Sequence, residues 1–222
     1  MPDAGRRQAI EYGVFAAGDA DAMARLLSDV FSRKDPPAVA AGLTPPEFEA
    51  FVRLWCPKVA AEGLTTVARY ADTRELAGVL LAEDCASPWP DGTDTLSPKF
   101  GPIFDILGQL DTEYRADRIL NPGEAIHLFL LGVAESAAAR GVAQQLVCAC
   151  LEYGARRGYR LAVTEATNPV SQHIFRKLGF AERVRRSYSE HRFAGRAVFA
   201  SIAAQGGPIL MDKPLYPDAA PV

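Results

Sequence analysis

Three stretches of this chain carry residues whose types and spacing could do chemistry. The first is "EAIHLFLLGV", a continuous apolar run interrupted only by His127. An imidazole with an ordinary pKa near ~6.5 exchanges a proton at neutral pH, so His127 suits acid–base work. A core histidine bonded to a main-chain carbonyl would leave the same trace. The second is the turn that follows, in which Ala137, Ala138, Ala139, Gly141 and Ala143 keep the backbone open to close approach. A helix starting near Gly141 would present unpaired N–H groups and a positive dipole end, which suits a pyrophosphate; packing alone also selects small residues in such turns. The third is "NPVSQHIFRKLGF", Asn168 to Phe180. Asn168 is a good N-cap, Pro169 a good first-turn residue, and Gly179 a helix stop after which Phe180 can fold back onto the core. On its own this is a well-capped surface helix.

The elements that must position these residues follow from periodicity and punctuation. "AIEYGVFAA" reads as a strand. "DADAMARLLSDVF" reads as a helix capped by Asp19 or Asp21, with Met23, Leu26, Leu27, Val30 and Phe31 on one face, and "KDPP" ends it. "TPPEFEAFVRLWCPKVAAEG" is a second helix with Thr44 as cap, Glu47 in the capping-box position and Gly63 as its stop. "LTTVARYA" and "ELAGVLLAE" form a strand pair. Residues 85–123 are a Pro/Gly-rich loop followed by a helix, and a long loop in a compact domain is usually functional. A buried strand, the helix carrying Val142, Leu146, Val147, Cys150 and Leu151, the strand "YRLAVTEA" and the 168–180 helix come next. "RAVFASIA" and "PILMDKPL" read as closing strands, with 217–222 as a tail. The order β-α-α-β-β-α-β-α-β-α-β-β predicts a single α/β domain, 1–222, with a mixed sheet.

Composition narrows the classes. Of 222 residues, 49% are hydrophobic and 23% charged, enough for a full core. No run approaches the ~18 apolar residues of a membrane helix, and the N-terminus has no secretory apolar segment. Cys56, Cys85, Cys148 and Cys150 lack metal-ligand spacing and read as reduced thiols of a cytoplasmic protein without a metal. The net charge of −3 conceals an asymmetry: 140–196 carries eleven Arg/Lys against four acids, leaving the remainder at −10. A basic half suits a small phosphorylated ligand, whereas the acidic total, with no aromatic-basic interleaving, argues against nucleic acid. The expected protein is a monomer or homodimer with no membrane or nucleic-acid partner.

The turn and the 168–180 helix together resemble the two signatures of the GNAT (Gcn5-related) N-acetyltransferases. Gly141 and Ala143 match the last fixed positions of an Arg/Gln-x-x-Gly-x-Gly/Ala turn. Ala138 stands where Arg or Gln is usual, and Ala139 where glycine is common. In the second signature Asn168, Ile174, Gly179 and Phe180 fall in register, Ser171 takes the small-residue position and Phe175 takes a tyrosine's. The resemblance covers roughly 124–180. It implies a GNAT-like acyl-CoA N-acyltransferase fold, acetyl-CoA as cosubstrate, and a cofactor wall of Leu131, Gly132, Val133, Ala138, Ala139, Arg140, Gly141, Val142, Ala143, Asn168, Ser171 and Phe175.

It also implies a reaction. Acetyl transfer needs an unprotonated amine, and alkyl amines have pKa values near ~10, so a base gains rate. His127 occupies the place of the family's strand base. Asp35, ahead of Pro36, resembles the Glu-Pro base of insect-type arylalkylamine acetyltransferases. Phe129 stands where serotonin-type members carry a second histidine, which argues against their paired arrangement. Phe175 lacks the hydroxyl of the usual acid, leaving Tyr188 and Ser171 as substitutes, or water. Trp89 and Phe100, with Phe51 and Trp55, could wall an apolar acceptor pocket. A small primary amine is the first acceptor expected; a protein N-terminus or lysine, a non-catalytic acyl-CoA-binding protein and an interaction protein are the alternatives.

Overall fold

A computed structural model describes residues 8–215. They form one seven-stranded sheet in the order β1-β2-β3-β4-β5-β7-β6. The strands are β1 (Ile10–Val14), β2 (Thr66–Tyr70), β3 (Leu76–Asp84), β4 (Ala125–Val133), β5 (Leu161–Ala166), β6 (Ala181–Arg185) and β7 (Ile209–Pro214). All neighbours are antiparallel except β4 and β5. The helices are α1 (Ala20–Lys34), a short α2 (Pro36–Ala40), α3 (Pro45–Glu62), α4 (Gly101–Tyr114), α5 (Val142–Arg156) and α6 (Pro169–Lys177). The 217–222 tail lies outside the described residues.

Two cores lie on opposite faces of the sheet. On one, α1 and α3 bury Met23, Leu27, Phe48, Phe51, Val52 and Trp55 against Val67, Val79, Leu81 and Leu130. On the other, α5 buries Val142, Leu146, Val147, Cys150 and Leu151, the stripe expected from its periodicity, against Leu80, Ile126 and Leu128. Each face needs a close approach at a glycine. A Cβ at Gly132 would lie 2.7 Å from Leu27 of α1, and one at Gly154 2.0 Å from Ile126 Cδ1.

The punctuation of α3 is as expected: Glu47 accepts from the Thr44 N–H at 2.8 Å, and Gly63 ends the helix at φ 62°. The cap of α1 is not. The Asp19 carboxylate accepts from the Ala16 N–H and pairs with Arg69 instead. The sixth strand is also a correction. It is Ala181–Arg185, while 196–203 is loop running into a 3-10 turn at Ala200–Gln205. β6 is an edge strand with only Val184 buried, so it has no apolar alternation to read; Phe199 and Ile202, three apart, are what the later segment buries.

The sheet has two local features that build a site. β4 and β5 pair only from Ala125↔Leu161 to His127↔Val163 and then part, leaving main-chain groups of β4 on that side without a strand partner. On its other side, β4 carries a bulge: Leu130 opposes Leu81 and Leu128 opposes Ala82, so Phe129 is extra. The bulge breaks the alternation. His127, Phe129 and Leu130 all face α3, whereas Leu128 and Leu131 face α5.

Candidate active site

Where β4 and β5 part, a cleft of about 940 Å³ opens. It is lined by Leu128–Leu131 of β4 and Thr164–Thr167 at the end of β5, by Lys34 and Asp35 from the end of α1, and by Asn168, Ser171 and Phe175 at α6. Phe31, Phe48, Phe51, Phe100 and Phe104 close the far wall, with Phe51 and Phe100 centred 4.7 Å apart. A second chamber of about 740 Å³ adjoins it and shares Phe104, Leu107, Phe129 and Glu165 with it. Trp89 lines this second chamber, packed edge-on to Phe104 at 5.0 Å and to Trp55 at 5.6 Å. The 85–123 segment therefore contributes walls to both spaces. Of the four aromatic residues expected there, Trp55 is fully buried behind the wall.

Asp35 is the N-cap of α2. Its two carboxylate oxygens accept from the Ala38 N–H (3.2 Å) and the Thr167 hydroxyl (2.7 Å). Burial raises its carboxyl to about 6, against the lowering effect of those two donors. Among the described residues no cation is bonded to it. At neutral pH it is largely ionised yet basic enough to take a proton.

His127 is in a different state. Nε2 lies 2.7 Å from Glu165 and Nδ1 3.2 Å from Glu83. A ring facing a carboxylate at each nitrogen donates from both, which makes it an imidazolium. Burial opposes the charge, but Glu165 and Glu83 outweigh it and raise His127 to about 10. Glu83 also accepts from Trp55 Nε1 at 3.0 Å and pairs with Lys58. Burial pushes the Glu83 carboxyl up, yet His127 and Lys58 hold it below the usual range. His127 is thus part of a buried chain, Lys58–Glu83–His127–Glu165. Glu83 and Glu165 were not singled out from sequence, although each is a carboxylate in an otherwise apolar strand run, a usable signal that a partner lies opposite.

The substitute acids also separate. Ser171 lines the cleft, its hydroxyl donating to the Asn168 carbonyl at 3.0 Å. Tyr188 is fully buried away from the cleft lining and donates to the Thr167 carbonyl at 2.7 Å. Burial first, and then the charge of Asp35, push its hydroxyl pKa up.

On the cofactor side, Asn168 Oδ1 is committed to capping α6 through the N–H groups of Val170 and Ser171, both at 3.0 Å. Phe175 is buried edge-on to Phe180, 5.0 Å between centres, and presents one edge to the cleft. Leu131 lines the cleft, while Gly132 and Val133 carry β4 on to the turn. In the turn, Ala139 and Gly141 adopt left-handed φ values of 58° and 76°; the first is the position where glycine is common. Gln145 N–H is the first to find an acceptor in α5, the Gly141 carbonyl, so the N–H groups of Val142, Ala143 and Gln144 point out of the helix start. Arg140 turns away to the Gln8 carbonyl. Of the expected cofactor-wall residues, Leu131, Asn168, Ser171 and Phe175 line the cleft, whereas Gly132, Val133 and the turn residues 138–143 do not. Among the described residues, no three His, Cys, Asp or Glu side chains are grouped to hold a metal, and no helix is long and apolar enough to cross a membrane.

A mixed sheet parted between its parallel strands, with a helix start of open N–H groups after the first of them, is the arrangement of an acyl-CoA acyltransferase fold. Residues 43–180 match the model of the Acetyltransferase (GNAT) family, and the chain belongs to it: it is an acetyltransferase. Solved structures of low identity share the fold. The C-terminal condensation domain of Ebony, in complex with beta-alanyl-dopamine, superposes with a TM-score of 0.86 at 14% identity, covering 94% of this chain and 100% of that one. Arylalkylamine N-acetyltransferase 2 from Aedes aegypti gives 0.78 at 18% identity, covering 93% and 99%. The Drosophila melanogaster polyamine N-acetyltransferase that forms N-acetylagmatine gives 0.74 at 19%, covering 93% and 100%. No curated protein matches the sequence.

Proposed function

We propose that this chain transfers the acetyl group of acetyl-CoA to a small primary amine, with Asp35 as the base. The observation that carries the reading is Asp35 in the lining of the cleft left by β4 and β5, a carboxylate bonded to two neutral donors, its proton affinity raised by burial. Asp35 takes a proton from the substrate ammonium, directly or through water, and the freed lone pair attacks the thioester carbonyl carbon. Main-chain N–H groups of β4 beyond His127 are available to the developing oxyanion. The C–S bond then breaks; the nitrogen, cationic after attack, gives up its second proton, which passes through water or the Ser171 hydroxyl to the departing thiolate, whose thiol pKa is near ~8.5. Phe175 supplies packing and no proton. His127, held as an imidazolium, is a poor base.

The aromatic walls that the 85–123 segment adds to both chambers favour a small amine over a polypeptide. The amine acceptors named for the insect structures support the same class by analogy of fold. The test is thiol release from acetyl-CoA over a panel of small primary amines, with the melting temperature measured in parallel. Turnover with at least one amine is expected. Stabilisation by acetyl-CoA without turnover of any amine would leave only a binding protein.

A further inference from the structure

The second chamber is larger than an acetyl group or a base requires, and its charge is unbalanced. Four of its lining side chains are carboxylates: Glu83, Asp84, Asp111 and Glu165. Three of these are engaged. Glu83 holds Lys58, Trp55 and His127; Asp84 accepts from the Ala86 and Gly123 N–H groups and the Tyr159 hydroxyl; Asp111 pairs with Arg115. Glu165 differs. It lines both chambers, its side chain is 11% exposed, and Oε2 is held by His127 while Oε1 accepts no hydrogen bond among the described residues. His127 and Arg115 are the only cations in the lining, and with Lys58 behind Glu83 they leave negative charge in excess. The remaining walls include the rings of Trp89, Phe104 and Phe129, whose faces attract cations.

We propose that this chamber is a subsite for a positively charged group of the substrate, an ammonium or guanidinium several bonds from the reacting atoms, and that Glu165 selects it. His127 acts through Glu165 as a positioning residue. It fixes one carboxylate oxygen and leaves the other without a donor among the described residues, on a side chain that lines both chambers. A neutral ligand would bury the excess negative charge uncompensated, whereas an ammonium supplies both the charge and the donors that Oε1 lacks. The subsite rests on the acyl-transfer assignment of the adjoining cleft. The same charge could be carried by the acceptor, as a diamine, or by the acyl group, as an aminoacyl thioester.

Matched pairs separate these sources. Binding of 1,4-diaminobutane is compared with n-butylamine, and of β-alanyl-pantetheine with propionyl-pantetheine, by calorimetry and tryptophan emission. Trp55 and Trp89 are the chain's two tryptophans, and they back and line this chamber, so emission reports where the ligand sits. The member of one pair that carries the additional ammonium is expected to bind at least tenfold more tightly, with a change in emission. Glu165→Gln should bring it down to the partner lacking that charge, and Glu165→Asp should restore part of the difference. The pair that discriminates identifies the bearer of the charge. Equal binding within both pairs overturns the proposal, as does a preference that survives Glu165→Gln in a variant with native circular dichroism. Should that variant fail to fold, the wild-type pairs still decide. Acetyl transfer is measured separately, so a charge preference without turnover would sink the proposed reaction and leave the subsite standing.

Discussion

The state of His127 can be tested through stability. The folded protein holds the imidazole proton up to about 10, whereas an unfolded chain releases it near 6.5. The stabilisation is therefore complete below pH 6.5 and is lost as pH rises through 10. Between those limits the folded state binds one more proton than the unfolded state, and stability falls by up to about 1.4 kcal/mol per pH unit. Across the full range this amounts to about 5 kcal/mol. That figure is an upper bound, because the burial of Glu83 and Glu165 is part of the same balance and the His127 side chain remains 19% exposed. The measurement is urea unfolding of the wild type and His127→Gln at intervals from pH 6 to 10. Subtracting the two removes the thiols, lysines and tyrosines that titrate in the same range. The difference should shrink steadily with rising pH, and the His127 ring should titrate by NMR well above 8. A ring that titrates near 6.5, or a difference flat with pH, would refute the imidazolium assignment and return His127 to the role of base.

Asp35→Asn should lower kcat/KM for acetyl transfer by about 10²–10⁴, the usual range for a general base. The wild-type rate should fall below an apparent pKa near 6, as protonation removes the base, and the variant should lack that limb. Gly154→Ala should cost about 1–3 kcal/mol in denaturant unfolding, because its Cβ would lie 2.0 Å from Ile126 Cδ1 in a closed core. Ile126→Val, which deletes that methyl, should cost less in the Gly154→Ala background than alone; full additivity would show that the clash is absent. Ala139→Gly should raise the melting temperature by relieving a left-handed alanine, worth about 1 kcal/mol, and a fall would show that the turn does not hold that conformation.

How much of this was legible in the sequence varied with how local the cause is. The stripe of α5, the capping of α3 and both ends of α6 are set by residues within a turn or two of one another, and each was readable. β6 was not. An edge strand bears charges such as Glu182, Arg183 and Arg185 and buries one side chain, so its apolar pattern is weaker than that of the loop after it. The bulge at Phe129 was hidden for another reason. It exists only in the register between β3 and β4, and neither strand alone shows that one residue is extra. The list of cofactor-wall residues came from resemblance rather than from physics, and the turn's left-handed Ala139 and Gly141 give part of it a conformational basis.

The site's chemistry was the least legible part, because residue type does not determine protonation. From sequence, His127 is a group near 6.5 and so a natural base, and Asp35 is a carboxylate near 4 and so a weak one. Their partners invert that order. Asp35 meets only neutral donors, the Thr167 hydroxyl and the Ala38 N–H, and burial dominates, raising it to about 6. His127 meets Glu83 and Glu165, which lie 44 and 38 residues away in the chain, and attraction dominates, raising it to about 10. The bulge contributes to the same outcome. By adding a residue to β4 it keeps His127 on the α3 face, opposite Glu83 and beneath Lys58, while Leu130 and Gly132 also face α1 and α3. Without the extra residue the two halves of β4 could not both present their required side chains to that face. One irregularity in strand pairing therefore helps to hold His127 between two carboxylates, and under the proposed reaction the proton transfer falls to Asp35.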